Sequence, residues 1–246
     1  MIMRLIEHTI ESRRLLLVWQ ASDGKERTRL VVGELLREGD TVTFRYLSQT
    51  EDFKRARELG FSCYPAFRKI DRVYTEGVMD TFMRRLPPRK RGDFAKYLQQ
   101  WRLVPENAPS DFALLAYSGA RLPTDGFSLD WPLDEVNAPC ELLLEVAGFR
   151  YQDGVSIDEL DEGVPVSFRQ EPDNIHDDKA IAIEWQGQRI GYVKRTQRDA
   201  VLRWLHDYEV DAYIERLNGT KERPVVYLFC RLHYKVITDL PKRIAM

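Results

Sequence analysis

The 246-residue chain is poor in cysteine and histidine, has no long apolar run, and carries none of the common catalytic signatures. Its three cysteines, Cys63, Cys140 and Cys230, are odd in number, far apart and set among apolar neighbours, so no disulfide framework is expected. No CxxC pair offers zinc or redox chemistry. The four histidines, His8, His176, His206 and His233, show neither HxxxH nor HExxH spacing, so no metal site and no cofactor is expected. Apolar runs such as Leu15 to Trp19 fall far below the roughly 20 residues that span a bilayer. The opening MIMRLIEHTIESRR lacks the basic start, apolar centre and cleavage site of a signal peptide, which predicts a cytoplasmic protein with no membrane partner. GxSxG, P-loop and GxGxxG patterns are missing, and no cysteine neighbours a histidine in a nucleophile arrangement; a protein without catalysis is the expectation. No segment repeats at a period of about 20–50 residues, which excludes a solenoid.

What is present is enough apolar material for a core: 43% of residues are apolar and 31% charged, which is not the balance of a disordered chain. The formal charge of −2 is unevenly spread. Residues 1–139 hold 22 Lys/Arg against 20 Asp/Glu, and residues 140–246 hold 15 against 19. An acidic second half argues against sequence-blind binding to long duplex DNA, which needs a broad basic surface, and leaves room only for small, local nucleic-acid contacts.

The first half opens as a meander. Leu15 to Trp19 form a strand-like run, Asp23-Gly24 offers a hairpin turn, Arg29 to Leu35 follows, and Glu38-Gly39-Asp40 turns again. Val42, Phe44 and Tyr46 then alternate with Thr43 and Arg45 in the period of a half-buried strand. Glu51 to Leu59 reads as a helix stopped by Gly60. Tyr74, Val78, Phe82 and Leu86, four residues apart, predict one face of a helix that Pro87-Pro88 ends. Asp93 and Ser110 are expected to cap two more short helices, the second closed by Gly119. Pro123 to Pro139 carries turn formers and acids without a period and is expected to be the boundary between domains 1–136 and 137–246.

The second half begins with a strand, Glu141 to Val146, and then the turn GFRYQDG (Gly148 to Gly154). Val164, Val166 and Phe168 alternate, a polar loop spans Glu171 to Lys179, and Ile181, Ile183 and Trp185 alternate again. Gln186-Gly187-Gln188 turns the chain into Arg189 to Val193. Thr196 with Asp199 suggests a capping box for a helix displaying Val201, Trp204, Leu205 and Tyr208, before closing strands at Glu209 to Arg216 and Pro224 to Tyr234. Many short strands and one helix predict a small twisted barrel, and an α+β chain overall: a small sheet-plus-helices domain followed by a β-barrel with a packed helix.

Two clusters of charge invite a functional reading. RRLPPRKR (Arg84 to Arg91) offers cations for phosphate, but a helix C-terminus and a solvated loop need the same residues, and that reading is favoured. Glu159/Asp161 and Asp177/Asp178 read as solvated loop acids rather than an acid–base pair. A better candidate is the set Arg150 and Tyr151, then Asn174, His176 and Asp177, then Tyr192, Lys194 and Arg195, which a barrel brings together. Their aromatic rings offer stacking faces for bases, and their cations suit phosphates.

The order GFRYQDG, VPVSFRQEPDNIHDDKAIAI, GQRIGYVKR resembles the HIRAN domain across about 95 residues, from Cys140 to Tyr234. The likeness is carried by Gly148, Arg150 and Tyr151; by Glu171 to Asn174, Asp177, Ala180 and Ile181; and by Ile190 to Val193. It implies an OB-like barrel that captures the 3′ end of single-stranded DNA, and a family that in bacteria also occurs without an attached ATPase. On that resemblance Tyr151 stacks on a terminal base, Arg150 holds its phosphate, and Asp177 accepts from the 3′-hydroxyl. Asn174 shapes the loop, and Lys194 and Arg195 meet backbone phosphates. Where many members carry Pro-Tyr or Pro-Phe, this chain has Ile175-His176, a smaller stacking surface. Residues 14–130 are similar, more loosely, to the small N-terminal subdomain of HipA-type kinases, through the strand–Gly–Asp pattern, Phe82 with Leu86-Pro87, and Asp111 to Leu115 with Gly119. With no kinase body following, that likeness implies a protein-partner or regulatory role for residues 1–130. The resulting expectation is a non-catalytic single-stranded DNA or 3′-end binder; the alternative is an antitoxin-like protein that binds a HipA-like kinase.

Overall fold

The computed structural model describes residues 4–21 and 28–235; the expected Asp23-Gly24 turn lies outside them. The backbone packs as two units, Met1–Glu135 and Val136–Met246.

In the first unit β1 (Arg14–Trp19), β2 (Leu30–Glu38), β3 (Thr41–Tyr46) and β4 (Phe127–Asp130) form an antiparallel sheet in the order β3-β2-β1-β4. The alternation in β3 turns Val42, Phe44 and Tyr46 inward. Phe44 is the hub of an aromatic cluster, its ring centroid 4.8 Å from Phe67 and 4.9 Å from Tyr46. Four helices, α1 (Glu51–Glu58), α2 (Val78–Met83), α3 (Phe94–Gln100) and α4 (Asp111–Ser118), accompany the sheet. Ser110 caps α4 by accepting from the Ala113 amide at 3.2 Å. Asp93 sits at the start of α3 without capping it, because its carboxylate is drawn to Arg91.

Two expectations for this unit change, and the structural reading of the basic run is refined. The helix expected from Tyr74 begins only at Val78, after Gly77 turns left-handed. Tyr74 instead exchanges two backbone hydrogen bonds with Phe44, at 2.8 and 2.9 Å, so its four-residue spacing from Val78 reflects a shared core and not a shared helix. The segment 123–139 is not a bare linker: β4 pairs with β1, and every residue from Phe127 to Leu133 is buried, the apolar Phe127, Leu129, Trp131 and Leu133 alternating in sequence. The basic run is largely spent within the fold. Arg85 is 8% exposed; it donates twice to Asp125 at 2.8 Å, to the Ala120 carbonyl at 2.7 Å and to the Phe127 carbonyl at 2.8 Å. Arg89 pairs with Asp111 and Arg91 with Asp93.

In the second unit β5 (Cys140–Glu145), β6 (Pro165–Glu171), β7 (Ala180–Trp185), β8 (Gln188–Tyr192), β9 (Tyr208–Thr220) and β10 (Arg223–Tyr234) form one antiparallel sheet in the order β5-β10-β9-β6-β7-β8. The helix α5 (Arg198–Asp207) buries Ala200, Val201 and Trp204, and the Trp204 indole donates to the Val136 carbonyl at 3.3 Å. The expected Thr196 capping box is not what starts α5. Gln197 holds the N-cap position without a side-chain cap, and Asp199 turns to Lys179 at 3.1 Å. The chain is therefore mixed α and β, with two sheets and short helices, and no described helix is long and apolar enough to cross a membrane.

Removing the Arg85 fork leaves Asp125 without its opposite charge, with only the Phe127 amide as donor, and takes the donor from two carbonyls, the situation in which breaking a buried pair is costly. Arg85→Met is expected to lower the stability of the first unit by about 3 kcal/mol, the low end of the usual range because Asp125 keeps some water. A urea midpoint unchanged from the parent protein contradicts a structural role for this arginine.

Candidate nucleic-acid interface

Three segments distant in sequence meet in the second unit. The first follows β5. Gly148 takes a left-handed turn into a 3-10 turn, Phe149–Tyr151, whose first residue is buried at 4% exposure and anchors it. Arg150 and Tyr151 are thereby turned outward. Tyr151 is 65% exposed, and the Arg150 guanidinium lies over its ring, 4.4 Å from the centroid, and donates to its hydroxyl.

The second segment is the polar loop between β6 and β7. It descends in three successive i→i+3 backbone bonds: Asn174 to Glu171, Asp177 to Asn174, and Ala180 to Asp177. The Asn174 side chain reinforces the middle turn, its Oδ1 accepting from the amides of His176 at 3.0 Å and Asp177 at 3.3 Å. His176 is exposed, and Ile175 beside it is 92% exposed. Asp177 accepts from the Lys179 amide at 3.0 Å through Oδ1 and from Arg198 through Oδ2.

The third segment is β8 and the residues after it. Its last residues must lie close to the first segment, and Gly191 permits this. At φ 146°, a β-carbon there would stand 2.5 Å from Val146 Cγ1 and 2.6 Å from the Ala147 carbonyl. With none, Tyr192 and Ala147 exchange two backbone bonds of 2.8 Å, so the two outer strands of the sheet touch at one point. Lys194 is turned to Glu145 at 3.3 Å, both side chains largely buried, whereas Arg195 is exposed.

A polar network centred on Glu171 ties the segments together. The Glu171 Oε2 accepts from Asn174 Nδ2 at 2.9 Å and from the Tyr192 hydroxyl at 3.1 Å; Oε1 meets Arg169 at 2.8 Å and Arg189 at 3.5 Å. Arg189 in turn donates to Gln152 at 2.9 Å, reaching the end of the first segment, and lies over the Tyr192 ring. Burial pushes the Glu171 carboxyl up, but the hydrogen bonds from Asn174, Tyr192 and Arg169 and the Arg169 charge outweigh it and hold the group below its ordinary range. Burial and donation to Glu171 together raise the Tyr192 phenol.

Of the eight sequence-derived residues, His176 and Arg195 are exposed and the other six are placed in three ways. Arg150 and Tyr151 form one exposed pair; Asn174 and Tyr192 share the Glu171 network; Asp177 and Lys194 are engaged by Arg198 and Glu145. Sequence reasoning assigned no role to Glu171, Arg169, Arg189, Gln152 or Arg198. The signal for the first two was available: Arg169 and Glu171 share one face of β6, and Glu184, opposite Ser167 on β7, reaches Arg169 diagonally. Among the described residues no group of three His, Cys, Asp or Glu is placed to hold a metal ion.

Because the Glu171 carboxyl is depressed in the folded state, its contribution to stability is complete above the ordinary carboxylate range and is lost as pH falls through the folded value. Glu171→Gln is expected to cost about 1–3 kcal/mol near neutral pH. The gap to the parent protein should close on acidification, as thermal melts across the acid range will show. A gap independent of pH contradicts the network.

Residues 141–235 match the family model of the HIRAN domain. Among solved structures, the HIRAN domain of human HLTF is similar at 20% identity, covering 37% of this chain and 74% of that one, with a TM-score of 0.31. A protein from Lactobacillus plantarum is similar at 26% identity, covering 37% of this chain and 92% of that one, also with a TM-score of 0.31. No curated protein matches the chain. On the family match, residues 141–235 of this chain are a HIRAN domain.

Proposed function

We propose that the chain binds single-stranded DNA at free 3′ ends through its HIRAN domain, with no reaction of its own. The observation that carries this reading is the Glu171 network, which holds the Arg150–Tyr151 turn, the Asn174–Asp177 loop and the end of β8 in one assembly. Two of the large apolar side chains that stay exposed, Tyr151 and Ile175, belong to these segments and offer stacking surface for a base. Arg150 and Arg195 supply cations for phosphate, and Asp177 keeps acceptor capacity for a hydroxyl beyond its two present partners. The single bridge between Ala147 and Tyr192, joining the outer strands, favours the OB-like barrel form of the domain. For the first unit we propose partner binding, on the likeness of residues 14–130 to the HipA N-terminal subdomain.

Fluorescence anisotropy with a labelled linear single strand, the same strand closed into a circle, and a blunt duplex tests the reading. The linear strand is expected to bind most tightly. Arg150→Ala with Tyr151→Ala should weaken it about 5- to 150-fold, the range for losing one stacked base. Few cations face the strand, so log K should fall with log salt at a slope of about −2, as for about three phosphates. Equal binding to the linear strand and the circle would sink end recognition.

A further inference from the structure

The carboxylate that the HIRAN resemblance assigns to the 3′-hydroxyl is not alone. Asp177 Oδ2 accepts from Nη1 of Arg198, the first residue of α5, and both side chains are 24% exposed. The loop holds Asp177 in place independently, through the Lys179 amide on Oδ1 and the Asn174 turn beneath it. Nearby, Lys179 pairs with Asp199, the next residue of α5. Asp177 is the one hydrogen-bond partner of the Arg198 side chain among the described residues, and the guanidinium's second terminal nitrogen remains uncommitted.

These facts decide what a strand may carry at its end. A lone carboxylate accepts from a terminal hydroxyl but repels a terminal phosphate, which bears a charge of about −1.5 to −2 near neutral pH. A carboxylate paired with a guanidinium offers both kinds of group. Oxygen lone pairs remain on Asp177 for a hydroxyl, and Arg198 supplies N–H donors and a compensating charge for phosphate oxygens. We infer that Arg198 is a specificity-determining residue of the end-binding site: paired with Asp177, it lets the site accept a strand ending in a 3′-phosphate as well as one ending in a 3′-hydroxyl. This rests on the DNA-end reading of the same site.

The test is anisotropy on the full chain with one oligonucleotide in two forms, 3′-hydroxyl and 3′-phosphate. The parent protein should bind the two within about threefold of each other. Arg198→Gln, which removes the charge and keeps a polar side chain, should lose about tenfold or more on the phosphate form and less than about threefold on the hydroxyl form. Arg198→Lys keeps the charge and should retain phosphate binding; Arg198→Met, which also removes the charge, decides the matter if the glutamine variant fails to fold. A parent protein that already rejects the phosphate end overturns the inference, as does an Arg198→Gln variant that loses both ends equally, which would make Arg198 a mere prop for the loop. Binding of the hydroxyl form with no change of preference in either variant removes the inference and leaves the DNA-end reading standing. Binding of neither form by the parent protein removes both.

Discussion

Glu171 ends β6 with its side chain only 12% exposed, and an ionised carboxylate so placed must be satisfied by its neighbours. Those neighbours come from β6 itself, from the loop after it and from β8. Arg169 lies two residues back on the same strand, Asn174 in the following loop, and Arg189 and Tyr192 on β8. Satisfying one buried charge therefore fixes where the loop leaves the sheet and how β8 ends. Through Arg189 and Gln152 it also fixes where the Arg150–Tyr151 turn stands. Of the candidate DNA-binding residues, Asn174 and Tyr192 are members of this network, whereas Arg150 and Tyr151 stand beyond it.

The first unit solves a related problem with the opposite sign. Arg85 is buried beside the aromatic cluster, and its fork is filled by Asp125 and two carbonyls from the segment around β4. Burial pulls the guanidinium down, but bonds to Asp125 and Tyr64 outweigh that and keep it charged. Burial pushes the Asp125 carboxyl up, but hydrogen bonds from Arg85 and the Phe127 amide, with the Arg85 charge, hold it below its usual range. The pair thus anchors the last strand of the sheet, close to the end of this unit.

Local patterns carried much of this. The alternation of Val42, Phe44 and Tyr46, the Ser110 cap and the Gln186–Gly187 turn into β8 were readable because each depends on residues a few positions apart. The three HIRAN motifs were readable because their order and spacing are specific. What escaped depends on tertiary context. Tyr74 joins Phe44 across the core, and the strand at Phe127 hides among prolines and acids, although the alternation of Phe127, Leu129, Trp131 and Leu133 was there to be counted. The pairings of Arg198 with Asp177 and of Lys194 with Glu145 join residues 21 and 49 positions apart in the chain, so only the folded register brings them together. The basic run from Arg84 shows the limit of charge counting: one of its arginines is an interior strut, and two others are paired at the surface.

In the proposed function, three separate segments act as one binding surface. An amide-resolved NMR titration of the full chain with a short single strand bearing a free 3′ end tests it most directly. The account predicts that the amides of Gly148 to Gln152, Asn174 to Asp177 and Tyr192 to Arg195 shift together, along one saturating curve. Shifts confined to one of these segments, or appearing instead in residues of the first unit, would contradict it.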